Sequence, residues 1–316
     1  MRMLNPIDPY KPGSDNLRVG KAVAMGLVVI GHFYSGQWWV PVLFGLWIFA
    51  FSSGLFSAVR YRPEIRLRDY YRTRISRLLL PLMTAQLVVI LACLAQGRSE
   101  LLNIDSIFAL FGLTRFSVWL GIERISPLGN GLWFLNLLWI FYFSLPLLRK
   151  ILLHRWGAWI TCAAGFIGAM VLENFQWQGV FFFSTAFAFL FGASIGFQKI
   201  WFTSSGLVLA VLAAAVVLLI YAKIDDGMMN ATWLMLGFFP VFHLLLTVRL
   251  PSKLTSGLFG KCDALFLPVY VTHVYLYLGK HADDAWMRHL GFAFSVLLIY
   301  LIATFLSRVN EKLRPT

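Results

Sequence analysis

Of 316 residues, 59% are hydrophobic, 16% aromatic and only 13% charged. Soluble globular chains hold about 45–50% apolar and about 25% charged residues, so that class is excluded, as are disordered, collagen-like and disulfide-framework chains. The formal net charge of +13 would point to nucleic acid in a soluble protein; with a mean hydropathy of +0.74, what matters is where the charge sits along the chain.

The first 18 residues are polar and contain Pro6, Pro9 and Pro12. They lack the charged start, short apolar stretch and small-residue cleavage site of a signal peptide, so the first apolar segment is expected to stay in the mature protein. Crossing a bilayer takes about 20 mostly apolar residues in a helix. That window predicts spans near 20–37, 39–59, 78–96, 131–148, 155–172, 179–197, 205–222, 231–248, 264–279 and 289–307. Segment 104–122 is apolar in patches but interrupted by Arg115 and Gly121, and it is read as an interfacial or re-entrant piece. The expected fold is an all-α polytopic membrane protein of about ten transmembrane helices. It forms one domain over 1–316, with a polar N-terminal segment, 1–18, and a tail, 308–316. No internal repeat or matched pair of broken helices divides it into two halves, as many transporters are divided.

Charge tests the count. With both termini cytoplasmic, the outer loops hold Arg98, Arg115, Arg124, Lys223, Lys280 and Arg288, only six of the 27 basic residues, against eight acids. The outer side is then −2 and the inner side +15, a strongly one-sided partition of the kind that Lys and Arg impose on membrane proteins. Cys93, Cys162 and Cys262 are too few and too scattered for a disulfide framework or a zinc site, and no metal is expected.

Ionisable residues inside spans are costly and usually functional. His32 lies well within the first span, His243 in the eighth and His273 in the ninth, and no Asp or Glu lies deep in any span. An imidazole at position 32 suits a general base toward a hydroxyl; the plainer alternative is a neutral histidine bonded to a neighbouring helix. Lys21 precedes His32 by eleven residues, which is about three helical turns and roughly 16 Å along the axis. The two share a side of the helix without touching. That arrangement suits a long ligand with an anionic head and a reactive tail, such as coenzyme A, although a snorkelling interface lysine is common.

The loop 60–77, RYRPEIRLRDYYRTRISR, carries seven arginines in eighteen residues. Positive-inside bias and attraction to anionic lipid explain most of them. Arg74 and Arg77, however, are spaced i, i+3 at the start of the third span, so they share a helix face near a helix N-terminus, a setting suited to phosphate. Trp133 and Tyr142 in the fourth span, and Ser52, Ser53 and Gly54 in the second, also look patterned. Bulk packing and the aromatic belt account for most of this. Asn136 is the polar exception in its span, with a helix–helix hydrogen bond as its plain role.

In combination these stretches resemble the acyltransferase-3 family of multi-span membrane acyltransferases. LRVGKAVAMGLVVIGHF looks like that family's first-helix signature, in which a basic residue precedes an essential histidine by eleven positions, here Lys21 and His32. LWIFAFSSGLF resembles its second helix, and YYRTRISRLLLP its third-helix start, with the Arg-x-x-Arg pair on Arg74 and Arg77. LWFLNLLWIFYFSLPLL is similar to its fourth span, and FAFLFGASIG and LPVYVTHVYLY to later helices, the last placing Tyr270 and His273 in a Tyr-x-x-His pattern. Two positions depart from the pattern: Leu138 and Trp139 stand where many members carry Glu-Glu, and Lys21 stands where arginine is more frequent.

The resemblance implies transfer of an acyl group, usually acetyl, from acyl-CoA to a sugar hydroxyl of a surface polysaccharide or lipid-linked glycan, at a bacterial inner membrane. His32 is then the general base or acyl relay. Lys21, Arg74 and Arg77 bind the acyl-CoA, and Ser53, Trp133, Asn136, Tyr142, Tyr270 and His273 are candidate oxyanion or substrate contacts. Acetyl-CoA is a co-substrate rather than a resident cofactor. The expected partners are the glycan acceptor, the bilayer and either polysaccharide-synthesis machinery or a second copy, with no nucleic acid. The competing class is a non-enzymatic glycan-lipid flippase or an assembly partner of a polysaccharide synthase.

Overall fold

The computed structural model describes residues 11–35, 39–60, 66–122, 128–129, 131–174, 181–198 and 262–313, with 239, 242, 246, 251 and 259 as single positions. Among these residues every regular element is a helix, and no strand occurs. They are α1 (Lys11–Tyr34), α2 (Trp39–Arg60), α3 (Leu67–Ala95), α4 (Ile104–Leu110), α5 (Thr114–Trp119), α6 (Trp133–Leu153), α7 (Arg155–Asn174), α8 (Phe182–Gln198), α9 (Phe266–Thr272) and α10 (Ala285–Leu313). The expected seventh span, most of the eighth and His243 lie outside the described residues.

Among the described residues six helices are long and apolar enough to cross a membrane: Asn16–Tyr34, Pro41–Arg60, Leu67–Ala95, Trp133–Leu153, Arg155–Glu173 and Ala285–Lys312. They overlap the first five expected spans and the tenth, but the third starts at Leu67 rather than near 78, so Arg74 and Arg77 lie about two turns inside α3 and not in a loop at its start. The expected sixth is α8, a shorter apolar helix of 17 residues. Apolar side chains left in the open follow helical spacing, Leu87, Leu91 and Leu94 on α3 and Phe294, Leu297, Leu301 and Phe305 on α10. Stripes at this spacing form the face that hydrocarbon covers. α1 begins at Lys11, so part of the polar leader 1–18 is already helical.

The expected ninth span, 264–279, is not one continuous helix. It is the seven-residue α9, a 3-10 turn at His273–Tyr275, and irregular backbone beyond. The side chains explain the break. The Thr272 hydroxyl donates to the Pro268 carbonyl at 2.8 Å, and His273 Nδ1 lies 2.7 Å from the Tyr270 carbonyl. Two carbonyls of the last turn are thus engaged by side chains, which bends and tightens a helix end. The Leu278 amide then donates to the Ser295 hydroxyl at 2.7 Å instead of to its own helix. Non-helical backbone at membrane depth is tolerated where protein buries it or where it lines a cavity. Segment 104–122 also lacks a span: α4 and α5 are joined through Gly112, whose φ of +69° favours glycine.

The chain divides into two compact units. The first draws on Met1–Ala24, Val40–Glu64 and Ser144–Lys261, the second on Met25–Trp39, Ile65–Phe143 and Cys262–Thr316. Within the first, α2 and α8 cross at glycines. A methyl group on Gly54 would overlap the Phe189 carbonyl, and one on Gly192 would overlap the Phe51 carbonyl. Such small-residue crossings bring backbones close where no hydrophobic effect drives helices together. The buried Glu173 at the end of α7 accepts the Phe181 and Ser184 amides at 3.1 and 2.9 Å, capping the N-terminus of α8. Within the second unit, α9 packs on α3 and α10.

Candidate active site

The second unit brings together the two histidines at 32 and 273. His32 lies in the last turn of α1, and His273 follows α9 at the helix break. Their ring centroids are 5.1 Å apart, and His273 Nε2 lies 3.3 Å from His32 Nδ1. His273 is fully buried and His32 half-buried.

The surrounding carbonyls assign the tautomers. A carbonyl oxygen can only accept, so each nitrogen facing one carries the hydrogen. His32 Nδ1 faces the Val28 carbonyl at 3.0 Å, and His273 Nδ1 faces that of Tyr270 at 2.7 Å. Each neutral ring therefore holds its proton on Nδ1. His32 Nδ1–H is shared between the Val28 carbonyl and the lone pair of His273 Nε2. The lone pair of His32 Nε2 has no protein partner among the described residues. This is an imidazole held in one tautomer and orientation with its basic nitrogen open, the arrangement that a general base or an acyl-accepting nucleophile requires. If Nε2 gains a proton, the charge spreads to Nδ1–H, which faces two acceptors.

Aromatic side chains wall this pair. The Tyr277 hydroxyl donates to the Val29 carbonyl at 2.9 Å, and its ring lies edge-on to both Phe33 and His273. Tyr34 lies 2.8 Å from His289 Nδ1, linking the C-terminus of α1 to α10.

The remaining residues flagged by sequence divide by what they touch. The Arg74 guanidinium lies between the Tyr70 and Tyr142 rings, 5.5 and 5.4 Å from their centroids, and Arg77 is exposed on the next turn of α3. Tyr142 thus serves as a platform for Arg74. The Tyr270 hydroxyl donates to the Gly131 carbonyl at 3.1 Å. Asn136 is fully buried and fully engaged: its Nδ2 donates to Thr114 Oγ1 and the Trp133 carbonyl, and its Oδ1 accepts the Arg115 amide. Those bonds use both amide hydrogens, so Asn136 braces the start of α6 against α5. Trp133 stands edge-on to Phe134.

Lys21 and Ser53 fall in the first unit. There the Lys21 ammonium lies over the Phe56 ring at 5.6 Å, and the Arg60 guanidinium lies over the same ring at 5.5 Å. Ser53 is half-buried beside the Gly54 crossing. Arg60 and Tyr277 were not singled out by sequence. Arg60 is one of seven arginines in its loop and Tyr277 one of many aromatics, so neither carried a distinguishing signal. Among the described residues no group of three or more His, Cys, Asp or Glu side chains forms a metal site.

The sequence model of the acyltransferase-3 family, described as an acyltransferase domain, matches residues 14–308. No curated protein and no solved structure gives a significant match.

Proposed function

Because the chain belongs to the acyltransferase-3 family, we propose that it is a membrane O-acyltransferase that moves an acetyl group from cytoplasmic acetyl-CoA to a hydroxyl of a cell-surface polysaccharide or lipid-linked glycan. The observation that carries this reading is the orientation of His32, with Nδ1 held by Val28 and His273 and Nε2 without a partner among the described residues. In the direct route Nε2 takes the acceptor hydroxyl's proton as the oxygen attacks the thioester carbonyl. The C–S bond breaks, and the coenzyme A thiolate takes up the proton. In the relay route Nε2 attacks the thioester carbonyl and expels the coenzyme A thiolate; the sugar hydroxyl then attacks the acyl-imidazole, the C–N bond breaks, and the hydroxyl proton ends on the thiolate.

The donor's phosphates are assigned to Arg74 and Arg77 on α3. Guanidinium groups bind phosphate oxygens in pairs, and the Tyr70 and Tyr142 rings hold Arg74 in place. His273 acts through His32 as a positioning residue. The acceptor approaches from the opposite side of a bacterial inner membrane, the side to which the charge distribution assigns the loop 280–288.

The test is acetyl-CoA turnover by purified protein in proteoliposomes with surface glycan outside. Acceptor-dependent release of coenzyme A with acetyl ester formation supports the proposal. Glycan-lipid translocation with no acetyl-CoA consumption contradicts it.

A further inference from the structure

Beyond the helix break, the chain turns back into α10 through a fixed loop. Gly279 makes the turn at φ +64°, Leu278 is tied to Ser295, and Arg288 donates twice to the Ala282 carbonyl, at 3.2 Å from Nε and 3.1 Å from Nη2. Asp284 is used at the start of α10, where its carboxylate accepts the Met287 amide at 2.7 Å. The loop encloses an open cleft of about 500 Å³ lined by Val274, Tyr277, Gly279, Lys280, His281 and Ala282. That is within the range of small-ligand sites, and one or two sugar rings fit such a volume.

The lining has a definite chemistry. It contains one permanent cation, a histidine able to donate, an aromatic ring and no carboxylate. The Lys280 ammonium lies over the Tyr277 ring at 5.6 Å and has no ion-pair partner among the described residues, although Asp283 and Asp284 follow within one turn. A half-buried ammonium held by an aromatic face and left without a carboxylate is a ready partner for an anion. The cleft also adjoins the histidine pair: Tyr277 contacts His273 ring to ring, and His273 contacts His32.

We propose that this cleft is the acceptor subsite and that it selects an anionic saccharide, one bearing a carboxylate or phosphate that pairs with Lys280 while His281 donates to a neighbouring oxygen. The inference rests on the acyltransferase reading, which supplies the need for a sugar beside His32. A neutral sugar would leave the Lys280 charge unmatched within the cleft, so the site discriminates by charge as well as by shape.

The experiment measures binding to detergent-solubilised full-length protein without acetyl-CoA, using three probes: methyl glucuronide, glucose 1-phosphate and methyl glucoside. At least one anionic probe is expected to bind about tenfold more tightly than the glucoside, the factor typical of a charged hydrogen bond. Which of the two prevails identifies carboxylate or phosphate as the source of the charge. Lys280→Gln should erase the preference and Lys280→Arg should keep it. Equal binding of all three probes to the wild type, or a preference that survives Lys280→Gln, would overturn the proposal. The two readings fail separately. Acetyl transfer that depends on His32 alongside equal probe binding defeats the subsite alone. An anion preference alongside no acetyl-CoA consumption defeats the enzyme reading alone.

Discussion

His273 Nε2 stands 3.3 Å from His32 Nδ1 although the two residues are 241 positions apart in the chain. The contact exists because one histidine ends α1 and the other sits where the helix after Phe266 gives way to a 3-10 turn. A continuous ninth span would have kept its carbonyls within the helix. The break lets His273 spend Nδ1 on Tyr270 and offer Nε2 to His32.

That geometry makes His273 separable from donor binding. His273→Ala should lower kcat by about ten- to a hundredfold, less than the full loss of a general base, which contributes about 10²–10⁴-fold. KM for acetyl-CoA should stay within about twofold. A parallel rise in KM would assign His273 to substrate binding instead.

The arginine pair makes the converse prediction. Arg74→Ala and Arg77→Ala should each raise KM for acetyl-CoA about tenfold, the scale of a lost charged hydrogen bond, with kcat little changed. Acetyl-pantetheine, which lacks the nucleotide phosphates, should be used equally by the variants and the wild type. Steady-state kinetics with both donors checks this, and an unchanged KM would remove these residues from the phosphate site.

Two further predictions concern stability. Gly54→Ala and Gly192→Ala place a methyl group against a backbone carbonyl that has no freedom to retreat. Each should destabilise the first unit by about 1–3 kcal/mol, as overpacking does. Thermal unfolding in detergent measures it, and an unaltered Tm for both would mean the helices do not approach so closely.

Glu173→Ala removes the acceptor for the Phe181 and Ser184 amides. A loss of about 0.5–2 kcal/mol is expected, the cost of deleting an N-cap. Hydrogen exchange at the first turn of α8 should rise in this variant, whereas fast exchange already present in the wild type would argue against the cap.

Much of this was legible in the sequence because lipid imposes a simple rule. Long apolar runs marked six spans, although arginines hid the first eleven residues of α3, and His32 stood out because imidazoles are scarce within apolar spans. The break at Thr272 was not legible. A hydropathy window averages over Thr272, and His273 stood out only as an ionisable residue; their back-bonds to Pro268 and Tyr270 depend on rotamers rather than on composition. Asn136 was marked as polar in an apolar span, but its three partners come from a segment, 114–115, and from its own turn, which no periodicity connects. Lys280 looked like an ordinary loop cation until Tyr277 and the cleft were placed beneath it.

The central claim is that His32 Nε2 handles the proton or the acyl group. The direct measurement is acetyl transfer to glycan by His32→Ala in proteoliposomes, with acetyl-CoA binding measured on the same preparation. Retained binding and a rate lower by about 10²–10⁴-fold are expected. Acetyl transfer at the wild-type rate would contradict this role for His32.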